Sequence, residues 1–323
     1  MGQRATDRPV SACNQVKNMN TTHDVKPKIL MLGSDSAFSG IVLRCLLEAG
    51  TEVCGLVVHG AAARSKGFEP LGGEIPVVVA GTGPAIAREG GIPVIHVAST
   101  TDGDVLQRLS RLEPDILLVA CFPLILRGPW LTLPKQICLN VHPSVLPAYR
   151  GPTPLFWQLR EGEEETGVTL HCIEEDIDVG DIVAQSVMPL SVGARFSEVN
   201  AKLAEMGAAL MVDLLQQSRA GIAIPRTSQD ALLASYQPFP KEKDFRFDTH
   251  FTAERAFRFM RGCEEWGVPF EVDVGGTVLV LDRALDYHHD TRMATPFDVD
   301  GDRVRIRFSD GVLEALGRSV DAN

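Results

Sequence analysis

The chain has 323 residues, enough for two domains that each bury a core. Its composition, 45% hydrophobic and 23% charged, is globular, and no apolar run reaches the roughly 18 residues that a transmembrane helix needs. A net charge of −11 supplies no global attraction to nucleic acid, so phosphate binding would have to come from local basic patches.

The first 26 residues are polar, without the apolar centre of a secretory signal, and are expected to form a disordered leader. "KILMLGS", from Lys28, is a continuous apolar run ending in Gly and Ser, as a buried parallel strand should be. "SGIVLRCLLEAG" has helical spacing, with Gly50 placed to cap it, and "EVCGLVVHG" reads as a second strand. A Gly/Ala/Pro-rich stretch from Ala61 to about Pro84 follows, broken by "IPVVVAG". The strand–helix–strand rhythm then returns in "IPVIHVAS", "DGDVLQRLSRLE", "PDILLVACF" and "KQICLNVHP". This alternation predicts an α/β fold with a doubly wound, mostly parallel (Rossmann-like) sheet. The loop after the first strand lacks G-x-G-x-x-G, and no G-x-x-x-x-G-K-[ST] occurs, which removes dinucleotide and phosphate-loop chemistry.

"GVTLHCI" and "DIVAQSVMPL" read as strands around an acidic loop. A helix is predicted from about Ser197 to Gly221, with an apolar stripe at Val199, Leu203, Met206, Leu210, Val212 and Leu214. Residues 222–240 carry prolines at 225, 238 and 240 without any period, and are expected to link two domains. The predicted catalytic domain is therefore 27–221 and the C-terminal domain 241–323. A helix in "TAERAFRFMRGCEEW" and short strands in "PFEVDV", "TVLVLDRALDY" and "DRVRIRF" suggest a small β-barrel-like (OB-like) unit. The seven cysteines are scattered, mostly in apolar runs, which points to a reducing cytoplasm and away from disulfides or a zinc site.

The chemistry gathers where the strand "KQICLNVHP" ends. Asn140 and His142 lie two residues apart, so on a strand both face one crevice, outside the carboxyl edge where doubly wound sheets bind ligands. An amide and an imidazole aimed together can polarise a carbonyl and hold the negative charge it acquires. Taken alone, the pair favours a turn cap and a structural histidine. The acidic loop "EEDIDVGDI" fits a solvated surface or a cation site, although its spacing is not that of an EF-hand, and no metal is expected. It also offers a carboxylate that would keep an adjacent imidazole protonated and oriented.

"NVHPSVLPAYRG", followed by "TGVTLHCIEEDIDVGDIVAQ", resembles the 10-formyltetrahydrofolate-dependent formyltransferase family, whose loops read N-x-H-x-S-x-L-P-x-x-[RK]-G and D-x-G-x-I. The resemblance spans about Lys28 to Gly221. It implies an enzyme with Asn140, His142 and Asp178 as the catalytic trio. It implies 10-formyltetrahydrofolate as co-substrate, with folate contacts at Phe122, Pro123, Leu124, Ser144, Leu146, Pro147, Asp176 and Ile177. The tail, with "RAFRFMRG", "EWGVPF" and "FSDGVLEAL", is similar to the small domain of methionyl-tRNA formyltransferases, which implies initiator methionyl-tRNA as the amine acceptor. Two features favour instead a small amine, such as an amino sugar, an amino-acid derivative or a nucleotide precursor. The loop "HGAAARSKGFEPLGGE" is weakly basic, and the chain from Ala220 holds 13 Lys/Arg against 18 Asp/Glu. Arg255, Arg258 and Arg261 at helical spacing, and Arg303, Arg305 and Arg307 at strand spacing, are candidate basic stripes. Water as acceptor, or folate binding without catalysis, are the remaining readings; a monomer or homodimer in the cytoplasm, without a membrane partner, is expected.

Overall fold

The computed structural model describes residues 26–60, 82–290 and 292–319. Residues 1–25 of the expected leader, "IPVVVAG" and most of the weakly basic loop therefore lie outside the described residues.

The N-terminal unit runs β1 (Lys28–Gly33), α1 (Ala37–Glu48), β2 (Glu52–His59), α2 (Gly83–Glu89), β3 (Val94–Val97), α3 (Gly103–Ser110), β4 (Ile116–Val119) and β5 (Ile137–His142). It continues through α4 (Pro154–Glu161), β6 (Glu165–Cys172), β7 (Ile182–Pro189) and α5 (Phe196–Arg219). The seven strands form one sheet in the order β3-β2-β1-β4-β5-β6-β7. The first five are parallel, and β6 and β7 close one side antiparallel. Ile29, Leu30, Met31 and Leu32 of β1 are fully buried, as a strand covered by helices on both faces must be. Helix starts follow side-chain chemistry: the Ser36 hydroxyl accepts from Ser39 N, and the Asp102 carboxylate accepts from Asp104 N and Val105 N. Pro154 occupies the first turn of α4, and Gly162 ends it with φ +75°.

Helix α5 covers the sheet over β5 and β6 with a stripe that differs from the expected one. Ala204, Gly207, Ala208, Met211 and Leu215 are buried beside Val199, Leu203 and Leu214, whereas Met206, Leu210 and Val212 are only partly covered. Small residues win these positions because the backbones come close. A Cβ on Gly207 would fall 2.2 Å from Cγ1 of Val141 on β5.

The C-terminal unit comprises β8 (Arg246–Asp248), α6 (Ala253–Cys263), β9 (Phe270–Val274), β10 (Thr277–His288), β11 (Phe297–Asp300), β12 (Arg303–Arg307) and β13 (Val312–Ser319). Its six strands form a second sheet, β11-β12-β13-β10-β9-β8, against which α6 packs. One continuous apolar cluster runs from β1 and α5 through α4 into α6 and β9–β13. At its join the Phe156 ring on α4 meets Phe245, Phe259 and Trp266, with centroids 5.1 to 5.6 Å away. Gly262 lets α6 approach α4, since a Cβ there would stand 2.7 Å from Leu159 Cδ2.

Candidate active site

Strand β5 delivers both expected side chains to one spot. His142 is 3% exposed and Asn140 half-buried. His142 Nε2 lies 2.9 Å from the carbonyl of Tyr149, and a carbonyl can only accept, so this nitrogen carries a proton. The other ring nitrogen, Nδ1, faces Asp178 Oδ2 at 3.7 Å. Asp178 reaches that position through the sharp "DVGD" turn, with its own backbone at φ +55°. The turn depends on Gly180, because a Cβ there would meet the carbonyl of Cys172 at 2.0 Å.

The Asp178 carboxylate is anchored on both oxygens. Oδ2 accepts from Gly151 N at 2.8 Å, and Oδ1 accepts from Asn140 Nδ2 at 3.3 Å. The structure thus brings together the two motifs that lie far apart in sequence. It also brings in a residue that the sequence reading passed over, His171 on β6, which pairs in register with Asn140. Asn140 Nδ2 lies 3.1 Å from His171 Nε2, and His171 Nδ1 donates to its neighbour, the Cys172 carbonyl, at 2.7 Å. The other His171 nitrogen therefore accepts, so the two hydrogens of the Asn140 amide go to His171 and Asp178. The period-2 pattern of β6 placed His171 on one face, but only the antiparallel pairing with β5 puts it opposite Asn140.

Burial sets the protonation of the cluster. Desolvation pulls the His142 pKa below its ordinary value, against the Asp178 charge that raises it, and His171 adds to the lowering. Burial thus favours the neutral imidazole at His142, against the protonated form expected beside the acidic loop. Asp178 also suffers desolvation, but the imidazoles of His142 and His171 and the Gly151 N–H overcome it and hold the carboxyl well below the usual range. A proton arriving at His142 Nδ1 would meet an ionised carboxylate. The donor atoms of His142, His171 and Asp178 all lie within 4.8 Å of one another, so the same set can hold a divalent cation as well as share a proton.

The residues expected to touch folate divide into two groups. Ser144 is fully buried and its hydroxyl donates to the Ala148 carbonyl at 2.7 Å. Leu146 is 2% exposed; its N–H donates to Thr169 Oγ1, and its carbonyl accepts from Gln185 Nε2. Both tie down the loop, which contains the cis Leu146–Pro147 bond, with Pro147 partly exposed. Phe122 and Leu124 are partly buried against a second apolar cluster, together with Ile173. Pro123, Asp176 and Ile177 are exposed.

Five of the six arginines in the two candidate stripes are engaged within the protein. Arg255 donates to Glu161 and to the Arg160 carbonyl and lies 3.7 Å above the Phe251 ring. Arg258 binds Glu254 and the Leu190 carbonyl, and Arg261 binds Glu264. On β12, Arg305 pairs with Asp298, and Arg307 donates to the Met293 carbonyl. No helix among the described residues is long and apolar enough to cross a membrane.

Comparison with known proteins gives the family and the fold. The family described as formyl transferase matches residues 28–215. A methionyl-tRNA formyltransferase of Chloroflexus aurantiacus is 35% identical over 241 residues, 74% of each chain. That of Citrifermentans bemidjiense is 30% identical over 239 residues, 74% of this chain and 72% of the other. Among solved structures, an N-formyltransferase from Helicobacter canadensis, in complex with folinic acid and dTDP-3-aminofucose, superposes with TM-score 0.63 at 17% identity, covering 90% of this chain and 98% of that one. The sugar 3N-formyltransferase WlaRD, with dTDP and 5-N-formyl-THF, gives TM-score 0.62 at 14% identity over 93% of this chain and all of that one. At these identities the two structures establish the shared fold.

Proposed function

The chain belongs to the formyl transferase family, and from that premise we propose that it moves the formyl group of 10-formyltetrahydrofolate to a primary amine at Asn140, His142 and Asp178. The observation that carries this reading is the convergence of the three side chains, two on β5 and one on the turn before β7, around one buried point.

The amine nitrogen attacks the formyl carbon, a C–N bond forms, and the carbonyl electron pair moves to oxygen. Asn140 answers that charge with an N–H. Its 3.3 Å bond to Asp178 is longer than an ordinary hydrogen bond, and is the one to be given up, while His171 keeps the amide oriented. Neutral His142 takes the amine proton at Nδ1, where ionised Asp178 holds the resulting imidazolium. The bond from carbon to N10 then breaks, and the proton passes to N10, leaving tetrahydrofolate and a formamide.

For the acceptor, the relatives that align with about three quarters of this chain are methionyl-tRNA formyltransferases, which favours initiator methionyl-tRNA. A small amine is the second reading, favoured by the engagement of Arg255, Arg258 and Arg261 within the protein. The two are separated by supplying formyl-labelled 10-formyltetrahydrofolate with initiator methionyl-tRNA in one reaction and a panel of amino sugars and amino acids in another. Label on the tRNA alone is expected. Label only on a small amine sinks the tRNA reading, and consumption of the folate without any labelled product makes water the acceptor.

A further inference from the structure

The segment between the two sheets does more than connect them. Gln229 uses its whole hydrogen-bonding capacity on the two catalytic motifs. Its Oε1 accepts from Arg150 Nε at 3.0 Å and Nη2 at 2.7 Å. Its Nε2 donates to the carbonyls of Asp178 and Gly180, each at 2.8 Å. The neighbouring backbone repeats the pattern: Thr227 exchanges two bonds with Ile182, Ser235 O accepts from Arg150 N, and Gln237 N donates to Arg150 O. Gly151 fits this close approach because a Cβ there would fall 2.1 Å from the Gln237 carbonyl.

We infer that Gln229 is a positioning residue for the reaction, clamping the turn that carries Asp178 to the Arg150–Gly151 end of the His142 loop. The inference rests on the formyl-transfer reading for what is being positioned. Asp178 and Tyr149 both hold left-handed backbone, at φ +55° and +60°. Such residues persist only where surrounding bonds over-determine them. The direct tie between the loops is the single bond from Gly151 N to Asp178 Oδ2, and Gln229 adds four more. Arg150, which the sequence motif supplies as its basic residue, is thereby turned toward the segment rather than toward substrate.

The ionisable groups facing His142 are Asp178 and His171, with the Tyr149 carbonyl on its far nitrogen. Loosening the Asp178 turn should therefore let its carboxylate move away from His142 Nδ1. In full-length Gln229→Ala, kcat for formyl transfer should fall about tenfold to a hundredfold, the scale of a small misplacement of catalytic groups. The KM values should change less than about threefold, so that the loss falls on kcat. Gln229→Glu keeps an acceptor for Arg150 but sets a carboxylate against two carbonyls, so it should be as impaired as the alanine variant. Hydrogen exchange at the Gly151 amide, which needs no substrate, should quicken in Gln229→Ala as its bond to Asp178 loosens. If wild-type protein transfers no formyl group, the functional reading fails, and the exchange rate of the Gly151 amide decides the inference. An unchanged Gly151 exchange rate in Gln229→Ala, or wild-type kcat in Gln229→Glu, overturns it.

Discussion

Asn140 and His142 do different work although both leave the same strand. Asn140 gives charge-stabilising hydrogens, and removing such a donor costs about a hundredfold or more in rate. Asn140→Ala and His142→Ala are each expected to lower kcat by that order in a single-turnover assay. Losses within about threefold would mean that the buried cluster is structural. The pH dependence follows from the direction of the His142 shift. A base whose pKa lies below the ordinary value, about 6.5, is already deprotonated at neutral pH, so activity should be level there and fall only in acid. Asp178 raises that pKa, and its removal must lower it further. Asp178→Asn should therefore show a slower reaction whose acid limb lies at lower pH than the wild type's. A limb moved to higher pH would contradict the assigned charge pattern.

At the scale of elements, the turn that carries Asp178 is the most tightly specified. Gly180→Ala puts a methyl group 2.0 Å from the Cys172 carbonyl. The expected cost is about 1–3 kcal/mol of stability by thermal melting, together with loss of activity as Asp178 moves away from His142. The buried strands of the first sheet were legible because parallel strands covered on both faces read as unbroken apolar runs. Asn140 and His142 were legible for a related reason, since a period of two fixes their common face. Helix α2 was hidden in a Gly/Pro-rich stretch, and its start at Gly83–Pro84 is made by the Thr82 cap rather than by any apolar stripe. The three- and four-residue strands β8 and β11 are too short to show a period. His171 and Gln229 escaped for another reason. Their roles come from strand register and from contacts about 30 to 80 residues away in sequence, which leave no local pattern.

At the scale of the whole molecule, the two sheets share one apolar core, and the Phe156 ring sits where they join. Phe156→Ala should cost about 3–5 kcal/mol, with both halves melting in one transition by calorimetry. Two separate transitions in the wild type would show the core to be divisible. Charge poses the remaining question for the acceptor. With a net charge of −11 and Arg255, Arg258 and Arg261 committed to carboxylates and carbonyls, α6 offers little positive charge to a tRNA backbone. Each phosphate neutralised adds about 0.7–0.9 to the slope of log affinity against log salt. If methionyl-tRNA is the acceptor, its KM should rise with salt along a slope of magnitude below about 3, because binding would lean on the acceptor end and the active-site mouth. A slope of about 6 or more would mean that many more cations than these meet the tRNA, and would overturn that reading. A KM indifferent to salt, with turnover confined to an uncharged amine, would assign the site to a small molecule.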